Sequence, residues 1–361
     1  MTTPRDDPRA EGAGASRRAQ LATRIALQRD LRGLAELAWC GGSDSRCEWA
    51  FAPIVIKAAG DGKGLGVFAA RDLLPGERIV AESPLVHWKN PRSTQNDYGV
   101  LERAFETLDA SRKAAFWEFG QSHDVYGAER TFKGVWLTNA LPIVYDGQPT
   151  EQAQSSNGCG EAGVFATISR FNHSCAPCCH YSWNPRLGQM TVHTLTRVPC
   201  GEELTISYLA EGGRIRAERQ ELLRRDFGFS CACPRCALTG GALARSDTLQ
   251  RAIGDVGPDT DPSGAPLTTS RFGAAPEALL RMLMEEQLPK IWARSTFWSA
   301  MEQSDQPTHW AAQLLETMTT ALGRDHPSTE ALEKLVKVRD TIGSTALNET
   351  VAMLRAGGWR P

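Results

Sequence analysis

Three cysteines fall within six residues, Cys231-Ala232-Cys233-Pro234-Arg235-Cys236, and no other stretch of the chain restricts its folding as strongly. A structural zinc site takes four thiolate or imidazole ligands in a closed tetrahedron. These thiols supply three, so a metal-bound chain has to bring a fourth ligand from elsewhere. The bland reading is three free thiols in a surface loop. The chain holds ten cysteines. In an intracellular protein of this size they read as thiols or metal ligands, not disulfides.

The 361 residues suggest two or three domains and are enough to bury a substantial core. Hydrophobic residues make up 41% and charged residues 23%, the balance of a soluble globular protein. A formal net charge of -2 gives no strong nucleic-acid signal. No apolar run approaches the ~20 residues needed to span a bilayer, so no membrane association is expected. Met1-Thr2-Thr3-Pro4-Arg5-Asp6-Asp7 has early acids and no apolar stretch behind it, unlike a secretory signal.

Along the chain, residues 1–16 read as a disordered tail and 17–50 as an N-terminal segment whose residues 17–39 form an amphipathic helix carrying Leu21, Ile25, Leu27, Leu31, Leu34 and Leu37, ended by Gly41-Gly42. From Phe51 short strands alternate with glycine turns: Ile54-Val55-Ile56, the turn Asp61–Gly66, Val67–Ala70, the turn Pro75-Gly76, Ile79–Ala81 and Leu85-Val86. Residues 98–119 read as two short helices with Asp109 as a cap between them, followed by a Gly- and Ser-rich loop at 146–163. Strands return at Met190–Leu195 and Leu204–Tyr208, where Leu204, Ile206 and Tyr208 share a face. Arg214–Arg225 is a charged helix. Its Arg214, Arg216, Arg219, Arg224 and Arg225 are expected on a solvated face, with nucleic-acid contact the minor alternative. Residues 239–274 read as a linker. Helices follow over 275–361: one opens at Pro276, one carries Trp310 to Leu322 and closes at Gly323, and one is capped by Ser328.

Gly62-Lys63-Gly64-Leu65-Gly66 is not a dinucleotide fingerprint, because a strand and not a helix follows it. Alone it is a hairpin loop whose glycines let a ligand approach the backbone. Alone, Arg170-Phe171-Asn172-His173-Ser174-Cys175-Ala176-Pro177 is a buried polar turn, and Gly201-Glu202-Glu203-Leu204-Thr205-Ile206-Ser207-Tyr208 is a turn and a strand. In this order, and followed by Phe227-Gly228-Phe229-Ser230 and the cysteine cluster, the segments resemble the SET-domain family of protein-lysine methyltransferases over roughly residues 52–238. The nearest branch by resemblance is the SET and MYND type with its fungal SET relatives, without the MYND zinc module. That module needs about eight Cys or His ligands, whereas residues 1–60 offer only Cys40 and Cys47, which read as structural thiols.

The resemblance implies an α+β fold: a SET-domain β-fold of short sheets around a knot-like core (51–211), a helical insertion (about 88–135), a zinc-binding post-SET segment (212–238) and an all-α C-terminal region (275–361). It implies S-adenosyl-L-methionine held by Lys63, Gly64, Leu65, Gly66, Asn172 and His173, with Asn139 of Thr138-Asn139-Ala140 as a further contact and Phe229 packed on adenine. Tyr208 matches the family's catalytic tyrosine and lines the cofactor site. Structural Zn2+ would be held by Cys175, Cys231, Cys233 and Cys236. The sequence departs from the family where Pro177 is followed by Cys178 and Cys179 in place of an asparagine. Those two thiols are candidates to compete for the metal or to be redox-sensitive surface groups.

The implied reaction is an in-line displacement on a sulfonium by a neutral amine, which needs alignment more than acid catalysis. The partner would be a protein bearing a lysine, the enzyme a monomer, and its residence the nucleus or cytoplasm. Two other classes stay open: a catalytically silent SET-type interaction module, and a methyltransferase acting on a small molecule.

Overall fold

The strand-forming stretches are short and β-branched, and they assemble into small sheets instead of one large one. The computed structural model describes residues 53–60, 63–88, 98–143, 161–209, 213–255, 276–294, 296, 297, 300 and 307–342. The expected tail and helix within 1–50, Cys40 and Cys47, Asp61-Gly62, most of the 146–163 loop and residues 256–275 lie outside the described residues.

Strands β1 (Ile54–Ala58) and β2 (Leu65–Ala69) form an antiparallel hairpin with Ile54 opposite Ala69 and Ala58 opposite Leu65. Its turn is closed by Ala59 N–H to Gly64 O at 2.9 Å, with Gly64 at φ +75°, a conformation glycine adopts without a Cβ penalty. Next come β3 (Arg78–Glu82) and β4 (Val86–Trp88). The helices α1 (Tyr98–Glu106), α2 (Ala110–Phe116), α3 (His123–Tyr126) and α4 (Phe132–Asn139) form the insertion. Asp109 caps α2, accepting Arg112 N–H at 2.9 Å. Phe105, Phe116 and Phe132 stack at 4.7 to 5.1 Å in the core of the insertion.

The chain then runs through β5 (Leu141–Ile143), β6 (Glu161–Val164), a 3-10 turn at Ile168–Arg170, β7 (Asn172–His173), β8 (Cys179–Asn184), β9 (Gln189–Thr194) and β10 (Glu203–Ile206). Three sheets result, with strand orders β1-β2-β10-β7, β3-β9-β8 and β4-β6-β5. In β10 the alternation buries Leu204 and Ile206 against Val67, Phe165 and Phe171. The strand stops at Ile206, so Tyr208 leaves the sheet instead of continuing its face. β10 runs antiparallel to β2 and parallel to β7, pairing Leu204 with Val67 and Thr205 with Asn172. This pairing brings three distant segments side by side.

Helices α5 (Arg216–Phe227), α6 (Gly240–Asp255), α7 (Pro276–Glu285), α8 (Pro307–Leu322) and α9 (Pro327–Ile342) follow. Leu279, Leu283, Trp310, Leu314, Met318, Leu332 and Leu335 share one core, and α8 packs on β8 and β9. Gly323, at φ +89°, closes α8. Two expectations need correction. Residues 240–255, read as part of a linker, are helical: Ser246 and Gln250 are buried there by a polar partner, so the segment lacks the apolar stripe that announces a helix. Ser328 does not cap α9. Pro327 is already its first residue, and Ser328 N–H donates to His326 Nδ1 at 3.3 Å. Among the described residues no helix is long and apolar enough to cross a membrane.

Candidate active site and cysteine cluster

The β2–β10–β7 register sets the glycine hairpin beside Asn172 and Glu203. Asn172 Nδ2 donates to Glu203 Oε1 at 2.7 Å and to Leu65 O at 3.3 Å. Lys63 Nζ lies 3.5 Å from Glu203 Oε2. A Cβ added at Gly66 would fall 2.7 Å from Glu203 Oε1 and 2.9 Å from Asn172 Nδ2. The glycine therefore keeps open a polar cradle formed by backbone, amide and carboxylate. Gly66→Ala should push Glu203 and Asn172 apart and weaken any ligand held there by about tenfold or more, since overpacking typically costs about 1–3 kcal/mol. A titration with S-adenosylmethionine measures this, and unchanged affinity contradicts it. Sequence reading missed Glu203. Its only signal was the Glu202-Glu203 pair before an alternating strand, where the register exposes Glu202 and turns Glu203 inward.

His173 and Tyr208 are joined through the backbone. Tyr208 N–H donates to His173 Nδ1 at 3.0 Å, so a neutral ring carries its proton on Nε2, which faces Cys175 Sγ at 3.3 Å. Burial lowers the His173 pKa to about 4, leaving the ring neutral at pH 7. The Tyr208 hydroxyl donates to Phe171 O at 2.7 Å. Burial pushes this phenol well above its ordinary range, so it is not a base at neutral pH. Tyr208 also lies 5.0 Å from Phe227, 6.3 Å edge-on from Phe229 and 5.3 Å from His173 between ring centres. Phe227, the last residue of α5, completes this aromatic wall and was not among the sequence candidates.

The wall is aimed by the end of α5. Gly228 is left-handed, at φ +74°, and reverses the chain. The Gln220 side chain then brackets Cys231, donating to its carbonyl at 2.6 Å and accepting its N–H at 3.0 Å. As a result the sulfurs of Cys175, Cys231, Cys233 and Cys236 all lie within 4.8 Å of one another. Zinc–sulfur bonds of about 2.3 Å in a tetrahedron put sulfurs about 3.8 Å apart. The observed Cys175–Cys231 and Cys175–Cys236 separations, 4.0 and 3.5 Å, bracket that value. The donor set thus fits a structural zinc. Hydrogen bonding, first from Cys175, holds the Cys233 thiol far below its ordinary range.

Two buried guanidinium groups attend the quartet. Arg219, expected on a solvated face, is only 4% exposed and points Nη2 at Cys236 Sγ, 3.8 Å away. The low overall hydropathy of α5 concealed this one inward cation. Arg235 donates to Cys175 O at 2.9 Å and to Glu286 at 2.6 Å. Ser246 Oγ and Gln250 Nε2 donate to the same Glu286 oxygen at 2.8 and 3.1 Å, so three donors converge on the carboxylate of the buried ion pair, while Arg235 Nε is buried without a hydrogen-bond partner. This network ties α6 and the end of α7 to the loop bearing Asn172, His173 and Cys175. Cys178 and Cys179 do not compete for the quartet, because they sit across Thr205 and belong to the β8 approach. Nor are they surface thiols: Cys178 is half-buried and Cys179 is buried.

Asn139, the last residue of α4, spends its amide on Gly120 O (2.8 Å) and Val135 O (2.7 Å), and its carbonyl accepts the Ser169 hydroxyl at 2.8 Å. It meets the site through the 3-10 turn before Asn172. Glu82 anchors the same turn, accepting Thr167 N–H at 2.9 Å and Ile168 N–H at 2.6 Å. Burial raises the Glu82 pKa to about 7, with these hydrogen bonds opposing. The folded state therefore binds this proton more tightly than the unfolded chain. The contribution to stability is complete below about pH 4.5 and is lost as pH rises through about 7, up to roughly 3 kcal/mol. Glu82→Gln should remove that slope in urea unfolding measured between pH 4.5 and 7.5, and an unchanged slope rules the assignment out.

Comparison with known families agrees with this geometry. The SET domain model matches residues 64–209. "Histone-lysine N-methyltransferase set5" of Schizosaccharomyces pombe is 32% identical over 190 residues, 52% of this chain and 52% of that protein. "SET and MYND domain-containing protein DDB_G0292140" of Dictyostelium discoideum is 28% identical over 198 residues, 48% of this chain and 36% of that protein. "Histone-lysine N-methyltransferase ATXR2" of Arabidopsis thaliana is 40% identical over 83 residues, 22% of this chain and 17% of that protein. The chain thus spans about half the length of the first of these relatives and less of the others. The glycine hairpin, the Asn172-His173 loop and Tyr208 all lie inside or bound the span of this chain, residues 64–209, that is similar to the SET domain.

Proposed function

We propose that the protein is an S-adenosylmethionine-dependent N-methyltransferase acting on a lysine side chain of another protein. The observation that carries this reading is the convergence of the Gly66 cradle, the Asn172–Glu203 pair and the His173–Tyr208–Phe229 cluster around the neighbouring strands β2, β10 and β7. The cradle offers acceptors and an amide to an amino-acid moiety, and the aromatic wall offers a face to a purine. When bound, S-adenosylmethionine would supply an activated methyl group on a sulfonium.

The residues of this chain then have three tasks. Lys63 to Gly66, Asn172 and Glu203 hold the donor. Tyr208, Phe227 and Phe229 form an apolar wall that excludes water and disfavours the charged form of an entering lysine, whose free pKa is about 10.4. The Tyr208 hydroxyl orients the amine and does not remove its proton. Cys175, Cys231, Cys233 and Cys236 would hold a structural zinc that pins the post-SET segment over the site. Asn139 would contribute indirectly, through the turn that carries Asn172. The lysine-methyltransferase names of the relatives support a protein substrate and a nuclear or cytosolic residence.

The test is calorimetric titration of the metal-analysed protein with S-adenosylmethionine beside Asn172→Ala, followed by transfer of a labelled methyl group to protein pools. Micromolar binding lost in the variant, with label on a protein band, is expected. Label in an extractable small product would replace the protein substrate by a small molecule. No binding by a folded, zinc-loaded protein would leave an interaction module in place of an enzyme.

A further inference from the structure

Outside the zinc quartet, two adjacent thiols face each other where β8 begins. Cys178 Sγ and Cys179 Sγ are 3.9 Å apart. Thr205 N–H donates to Cys178 Sγ at 3.3 Å, and Thr205 Oγ1 lies 3.7 Å from the same sulfur. The same sulfur lies 3.7 Å from Glu203 O and 4.0 Å from Thr205 O, and it is the donors, Thr205 N–H nearest among them, that stabilise its thiolate. We propose that Cys178 is a modification site for small peroxides, and that Cys179 resolves the oxidised sulfur as a vicinal disulfide.

The two thiols have unequal roles. The Cys179 thiol, first among the causes, donates to Cys178 and brings its pKa down to about 6, with Thr205 adding to the effect. Cys179 itself is raised and stays protonated. Cys178 is half-buried and the more exposed of the two, whereas Cys179 is 1% exposed. The exposed Cys200 lacks this arrangement, since its thiol donates to Ala70 O at 3.3 Å. A low-pKa thiolate beside a second thiol is the setting in which a sulfenic acid forms and is resolved.

The chemistry balances. The Cys178 thiolate attacks one peroxide oxygen, forming an S–O bond as the O–O bond breaks and hydroxide leaves. The Cys179 sulfur then attacks the Cys178 sulfur. An S–S bond forms, the S–O bond breaks, and water departs with the Cys179 proton. The two thiols are oxidised by two electrons and one peroxide is reduced. A small-molecule thiol reverses the step by exchange. Closing the pair draws Cys178 Sγ away from Thr205 N–H, two residues from Glu203, whose carboxylate holds Asn172. Weaker S-adenosylmethionine binding by the oxidised form is the expected consequence. That consequence rests on the proposed function, while the disulfide itself does not.

The experiment treats the full-length, zinc-loaded protein with a few equivalents of hydrogen peroxide, quenches free thiols with N-ethylmaleimide, and maps peptides by mass spectrometry while zinc is measured. The peptide with Cys178 and Cys179 is expected to lose two hydrogens and both alkylation sites at least about tenfold sooner than Cys200 is oxidised, with zinc retained. In Cys179→Ser, whose hydroxyl can still donate to Cys178 but cannot form a disulfide, a dimedone adduct is expected at Cys178. Oxidation of Cys200 or the quartet first, or a Cys178–Cys179 peptide that stays fully alkylatable, overturns the proposal. So does a Cys179→Ser protein that yields no dimedone adduct.

Discussion

Cys175→Ser is expected to abolish tight zinc binding and to take the cofactor site with it. Cys175 joins the two because it follows Asn172-His173 by two residues and contacts three other quartet members or neighbours: Cys231, Cys236 and His173. Structural zinc in small domains contributes roughly 10–16 kcal/mol of apparent binding free energy, which is folding free energy where the site forms only in the folded state. Losing one of four thiolates should lower metal affinity by more than the roughly 10–100-fold that outer partners are worth. The variant also leaves the buried Arg219 facing an incomplete anionic cluster. A loss of several kcal/mol corresponds to a melting temperature lower by on the order of 10 °C in a unit of this size. Metal analysis after dialysis against a chelator, with a thermal melt, decides the matter. Cys200→Ser, at an exposed thiol, is the matched control and should change stability by less than about 0.5 kcal/mol. A Cys175→Ser protein that keeps one zinc per chain with an unchanged melt would sink the quartet assignment.

Tyr208→Phe should leave zinc content and cofactor affinity near the parent values while lowering kcat for methyl transfer on the order of 10²-fold, the usual effect of removing one preorganised donor. The ring would survive, and with it the contacts to His173, Phe227 and Phe229. The lost group is one hydroxyl that now donates to Phe171 O at 2.7 Å. Its removal leaves that carbonyl short of a partner, a cost of about 1–3 kcal/mol that a thermal melt would register. A drop in kcat without a matching rise in KM would mark an interaction made at the reacting centre. Equal loss in cofactor affinity would instead make Tyr208 a packing residue, and an unchanged kcat would remove it from the mechanism.

The local signals in the sequence were sound where one residue type answers one backbone demand. Gly64 in its turn, Gly323 after α8, Pro276 at the start of α7 and Asp109 at the start of α2 all occupy the places their chemistry suits. The alternation of Leu204 and Ile206 likewise appears as burial in β10. The sequence also carried three of the four clustered cysteines in one short run. The fourth was legible only by resemblance, since nothing local to Cys175 announces a partner 56 residues away.

Helix α6 was hidden because its buried side chains, Ser246 and Gln250, are polar and are satisfied by Glu286 across 40 and 36 residues. Arg219 was hidden because a charged helix with one inward cation has nearly the composition of a fully solvated one. Glu203 and Phe227 belong to the site only through strand register and helix phase. Turn chemistry, periodicity and residue class were therefore determined by the sequence alone, because each depends on a few adjacent residues. Which carboxylate faces Asn172, which arginine faces the sulfurs and which thiols meet were decided by tertiary structure, because each pairing requires two segments to be buried against each other before either side chain has a partner.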